Sequence, residues 1–235
     1  MILYALAANI VGLQSECSEN SYSKQSKSIV LDSNWHWIHN GQYTNCYKDS
    51  DWNKELCPDP KTCAENCYLD GAGAAEYSII YGIHASGKSL TLDFVTPGKY
   101  GTNYGSRVYL LNNEHEYQVF FLKNNEFSLT VDMKRMPCGL NGAVYFVEME
   151  KDGGVTSSGG TNKAGAKFGT GYCDAQCPYD MKFIKSLANT VDWNVTCNPP
   201  VSKTGICCAE MDIWEANSRA TAYTPHPCKI TILKL

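Results

Sequence analysis

Three carboxylates, Glu210, Asp212 and Glu215, fall within the short stretch Gly205–Asn217. Carboxyl groups this crowded cannot all ionise freely. Mutual repulsion, added to desolvation by Met211, Ile213 and Trp214, drives their pKa values apart, so that one serves as an acid while another stays anionic. Such a pair can protonate a leaving oxygen and attack the carbon behind it, or activate water against it, which is the chemistry of glycosidic bond cleavage. Cys207 and Cys208, just upstream, supply an anchor.

The backbone has to bring these groups to one side. On a strand Glu210 and Asp212 share a face, whereas Glu215, five residues from Glu210, points to the other. On a helix, offsets of two and five residues share no face. A bulge between Asp212 and Glu215 restores all three to one side, which places the motif on a bulged strand. A solvated edge strand could carry the same acids, but it rarely mixes them with Cys-Cys and Trp.

Other residues with usable chemistry lie elsewhere in the chain. Trp35 and Trp37 are two apart and face the same way if extended, so one can pack in the core while the other offers a stacking surface. Asp174 and Gln176 sit between Cys173 and Cys177, which pin both ends of a short loop. His226 lies between Pro225 and Pro227, which restrict its backbone.

The totals narrow the class of protein. A chain of 235 residues with 43% hydrophobic composition can bury a sizeable core as one domain. A net charge of −4 offers no attraction to nucleic acid or to an acidic membrane, and suits a neutral partner. Twelve cysteines point to disulfides and an oxidising compartment. Their spacings are not those of a paired zinc framework, and His115-Glu116 lacks the second histidine of a zinc-protease helix, so no metal is expected. The sequon Asn194-Val195-Thr196 agrees with secretion. The apolar run in residues 1–15 is too short to span a bilayer and reads as the h-region of a signal peptide, leaving 16–235 as the mature domain.

Short alternating apolar runs dominate from Ser28 onward. Leu90, Leu92 and Phe94 form one, Phe127, Leu129, Val131 and Met133 a second, and Ala143, Tyr145, Val147 and Met149 a third, with glycine-rich turns between them. Repeated strands at this spacing predict an all-β, antiparallel sandwich. Short helices are expected only near Lys61–Cys67 and Met181–Ala188.

The segments Glu210–Ser218, Thr224–Cys228, Val30–Trp37, Pro137–Ala143 and Ala164–Cys177 together resemble glycoside hydrolase family 7, the cellobiohydrolases and endoglucanases that cleave cellulose with retention. The likeness covers nearly the whole chain after about residue 28. It implies a jelly-roll, concanavalin-like sandwich with long loops roofing a substrate cleft, and a monomeric secreted β-1,4-glucanase without metal or organic cofactor, acting outside the cell on a cellulose chain. Among the activities it implies, a cellobiohydrolase is favoured over an endoglucanase, and a non-catalytic sugar-binding sandwich is the competing class. By the same resemblance Glu210 is the nucleophile, Glu215 the acid/base and Asp212 their partner, while Trp37, Arg107, Tyr145, Asp174, Gln176 and His226 bind the glucan. It further implies the bridges Cys46–Cys67, Cys57–Cys63, Cys173–Cys208 and Cys177–Cys207, and leaves Cys17, Cys138, Cys197 and Cys228 without assigned partners. The family's catalytic module continues past its acid motif, so a sandwich incomplete at its C-terminus is expected.

Overall fold

The computed structural model describes residues 2–6, 9–14, 27–99, 101–227 and 231–234, with residues 2–6, 9–14 and 231–234 described as backbone. Two antiparallel sheets carry the fold. In the larger, the strands run in the spatial order Glu116–Tyr117, Arg107–Asn113, Ile2–Leu6, Gly142–Val147, Glu210–Ala216 and Thr221–His226, with Ser28–Leu31 also pairing with Arg107–Asn113. The smaller is ordered Ser128–Asp132, Asn9–Gln14, Ser89–Leu92 and Ile83–Ser86. Neither closes into a barrel, and the sandwich expected from the strand spacing is the fold observed.

Alternation decides which face of the larger sheet does what. Leu31, Val108, Val144 and Phe146 turn inward and meet Ile83, Leu90 and Leu92 of the smaller sheet. Met211, Ile213 and Trp214 pack against this intersheet core. The opposite face carries Val30, Tyr109, Ala143, Tyr145 and Val147, and is covered by Tyr172, Cys173 and Met181 from loops and by Ile206 of the short strand Thr204–Cys207. The Gly142–Val147 strand is therefore buried on both faces along its whole length.

Four disulfides join the pairs that the resemblance implied, Cys46–Cys67, Cys57–Cys63, Cys173–Cys208 and Cys177–Cys207. Cys138 and Cys197 are free thiols, while Cys17 and Cys228 lie outside the described residues.

Residues 2–6 and 9–14 form paired strands. Two expectations about helices differ from the structure, at Met181–Ala188 and at Ala74–Ile79. Met181–Ala188 is not helical but forms a hairpin of Phe183–Ile184 with Leu187–Ala188. Lys185 and Ser186 form its turn at φ 44° and 63°, a left-handed conformation that a helix excludes. The helix expected near Lys61–Cys67 is present as Pro60–Asn66, started by Asp59, whose carboxylate accepts the Lys61 and Thr62 amides. A second short helix, Ala74–Ile79, has no side-chain cap to announce it.

Candidate active site

The acids lie on the Glu210–Ala216 strand, which is flanked on both sides. Val147, Tyr145 and Ala143 stand opposite Glu210, Asp212 and Glu215 on one neighbour, and His226, Thr224 and Ala222 on the other. The register shifts between Asp212 and Glu215, so three steps along this strand match two on each neighbour. That extra residue is the expected bulge. Tyr145 and Ala143 are two apart and share a face, so Asp212 and Glu215 opposite them do too. The two bulge residues, Ile213 and Trp214, both reach the intersheet core. Trp214 therefore packs with Val144 and Phe146, and is not the wall beside Glu215 that its place in the motif suggested.

The loop Cys173–Cys177 is stapled against the start of this strand. Both of its cysteines are bonded to Cys207 and Cys208, and the Cys208 amide donates to the Asp174 carbonyl at 3.0 Å. Gly205 is required here, because a Cβ would stand 2.4 Å from the Cys177 carbonyl oxygen. The stapling aims the Ala175 amide at Glu210 Oε2, 2.9 Å away.

Electrostatics follow from burial. Glu210 and Asp212 are 8% and 4% exposed. Burial pushes the Glu210 carboxyl up to about 8, helped by Asp174 and Asp212 and opposed by the Ala175 amide. Burial also raises Asp212, followed by the charge of Glu215, while Glu210 and His226 act against the rise. The two carboxyls are hydrogen-bonded to each other, with His226 Nε2 3.0 Å from Asp212 Oδ2 on the other side. Glu210, Asp212 and His226 present ligand atoms within 4.8 Å of one another, a spacing that would also admit a cation. Asp212 satisfies both neighbours directly. Glu215 is held separately, by the Asn141 side-chain amide 2.8 Å from its Oε1.

Behind the acids runs a polar chain. Tyr172 donates to Asp174 Oδ2 at 2.5 Å, and its hydroxyl also lies 3.0 Å from that of Tyr145. Arg107 stacks its guanidinium 3.3 Å over the Tyr172 ring and donates through Nη2 to the fully buried Asp32 at 2.9 Å, where Tyr109 also donates.

The structure thus gathers Asp174, Tyr145, Arg107 and His226 around the acids directly or through this chain. It gives Arg107 a buried carboxylate partner and gives His226 the Asp212 carboxylate. Gln176 is exposed, and its amide caps Asp174 Oδ1 at 2.8 Å. Trp37 stands apart at 40% exposure. Trp35 is in a 3-10 turn, Ser33–Trp35, not on a strand with Trp37, and lies 5.6 Å from Arg107.

Sequence reasoning did not single out Asn141, Ala175, Tyr172 or Asp32. Asn141 sits in Gly139–Gly142, which reads as a turn, and Ala175 contributes only a backbone N–H that no side-chain pattern reveals.

Comparisons with known proteins agree with this geometry. The family model described as glycosyl hydrolase family 7 matches residues 11–234. Exoglucanase GH7B of Limnoria quadripunctata is 53% identical over 216 residues, 90% of this chain and 48% of that protein. A cellobiohydrolase of Daphnia pulex superposes with a TM-score of 0.88 at 43% identity, over 97% of this chain and 53% of its own. An endoglucanase I solved with cellobiose gives 0.74 at 38% identity, over 94% and 52%. The chain spans about half the length of these relatives. A match this extensive, on a sandwich with the acids on one bulged strand, means that the chain belongs to glycosyl hydrolase family 7.

Proposed function

We propose that this chain carries the acid machinery of a retaining β-1,4-glucanase. The observation that supports it most is the bulged strand that turns Asp212 and Glu215 to the Tyr145 face, with each glutamate held by a different donor. In this reading Glu210, aimed by the Ala175 amide, attacks the anomeric carbon and forms a glycosyl ester. Glu215, oriented by Asn141, protonates the leaving oxygen and then deprotonates the water that releases the sugar. Because burial keeps the Glu210 proton on, attack requires that proton to pass to Asp212, its hydrogen-bonded neighbour, whose Oδ2 also meets His226 Nε2 at 3.0 Å. Asp174, Gln176, Tyr145, Arg107 and Trp37 serve the glucan or the groups that touch it. The chain supplies both proton transfer and covalent catalysis from its own side chains.

The relatives support exo action. Those named exoglucanase and cellobiohydrolase are more similar than the endoglucanase. The reading therefore extends to a secreted cellobiohydrolase acting on cellulose chains outside the cell. A 2-fluoro cellobioside should label the peptide containing Glu210, and Glu215→Gln should abolish reducing-sugar release from swollen cellulose. Label on Glu215, or no difference between parent and variant, would falsify the assignment. Sugar binding without any hydrolysis by the parent would make the protein a lectin-like sandwich.

A further inference from the structure

Beside Trp37 lies an aromatic surface that the acid site does not use. Tyr43 is 71% exposed, and His39 is buried next to it. The three rings form one set. Centroids are 4.4 Å apart for Trp37 and His39, 5.1 Å for His39 and Tyr43, and 6.1 Å for Trp37 and Tyr43, the last two pairs inclined by only 25° or less.

The turn beneath this set is held open at a cost. Tyr43 has φ 59°, a left-handed conformation that a bulky residue adopts only when its surroundings enforce it. Asn40 enforces it. Its Oδ1 accepts the Gln42 and Thr44 amides at 2.9 Å each, its amide bonds the Thr44 carbonyl, and its carbonyl accepts the Tyr43 amide. Asn45 fixes the Trp37 indole N–H at 2.6 Å, and the Asn40 carbonyl takes His39 Nδ1–H at 2.6 Å. Tyr43 belongs to none of the hydrophobic clusters of the core. Strain, exposure and rigid support together mark a surface kept for a ligand.

We propose that Tyr43, seated on His39, is a second sugar-stacking platform beside Trp37 and takes a β-1,4-glucan chain away from the point of cleavage. This rests on the glucanase reading above. Stacking suits the apolar C–H face of a pyranose, and the neutral rim of Asn40, Gln42, Thr44 and Asn45 suits its hydroxyls.

The test uses the full chain with Glu215→Gln, so that sugar is bound and not cut. Adding Tyr43→Ala should weaken adsorption to swollen cellulose about 3- to 10-fold while shifting cellotriose affinity by less than about 2-fold, and Tyr43→Trp should match or strengthen the parent's adsorption. Unchanged adsorption with Tyr43→Ala, or equal weakening for both ligands, overturns the platform and leaves the glucanase reading standing. If the chain with Glu215 intact releases no sugar and neither form binds cellulose, both readings fall.

Discussion

The strand Glu210–Ala216 and the turn Asn40–Asn45 carry the side chains proposed to meet a substrate, yet they are fixed by different means. Around the strand the links are long in sequence. Disulfides close separations of 30 and 35 residues, Ala175 reaches Glu210 across 35, and Asn141 reaches Glu215 across 74. In the turn the hydrogen bonds of Asn40 and of the Trp37 indole span eight residues or fewer. Carboxylates whose protonation matters must be buried, and burial away from water needs partners brought in from elsewhere. A stacking surface must stay wet, so local hydrogen bonds suffice.

The largest effect should follow from Asp212→Asn. It removes the acceptor for the Glu210 proton, so kcat should fall about 100-fold, and it removes a charge and a hydrogen bond that both raise Glu210, so the limb of the pH profile due to Glu210 ionisation should move to lower pH. No exchange in the turn should move that limb, and a turn variant that did so would break the contrast. Next come the disulfides. Replacing Cys177 and Cys207 by Ser opens a closure of 30 residues and should cost about 3–4 kcal/mol with a loss of kcat, against about 2 kcal/mol for the 6-residue closure Cys57–Cys63. Denaturant melts and turnover of a short substrate measure both, and equal losses of turnover would remove the distinction.

A third test concerns stability against pH. Glu210 titrates at about 8 in the folded chain against an ordinary 4.5, so its contribution is complete below pH 4.5 and is lost as pH rises to 8. The melting temperature should drop across that window. Glu210→Gln should flatten the drop, and an equally steep drop in the variant would assign it to other groups.

Much of the site was legible because its constraints are local. An odd offset between acids on a strand can be reconciled only by an added residue, and the register shift lies where that argument put it. The apolar alternation of Leu90 and Leu92 likewise marked a strand with one buried face. Met181–Ala188 misled because its apolar spacing suits a helix, while two polar residues with no glycine form its turn. In the structure Ile184 and Phe183 serve different clusters on opposite sides, a division that one helical stripe does not provide. The partners of Arg107 and Glu210 stayed hidden for another reason. Asp32 is 75 positions from Arg107, and Ala175 acts through a backbone N–H, so neither leaves a signature in spacing.

The Gly142–Val147 strand is paired on both edges and covered on both faces. Its amides have no route to solvent short of opening the sheet itself, so their hydrogen exchange should be among the slowest in the chain and report global unfolding. Tyr145 and Ala143, which stand opposite Asp212 and Glu215, belong to that strand. The backbone register that spaces the acids therefore persists until the sheet itself opens.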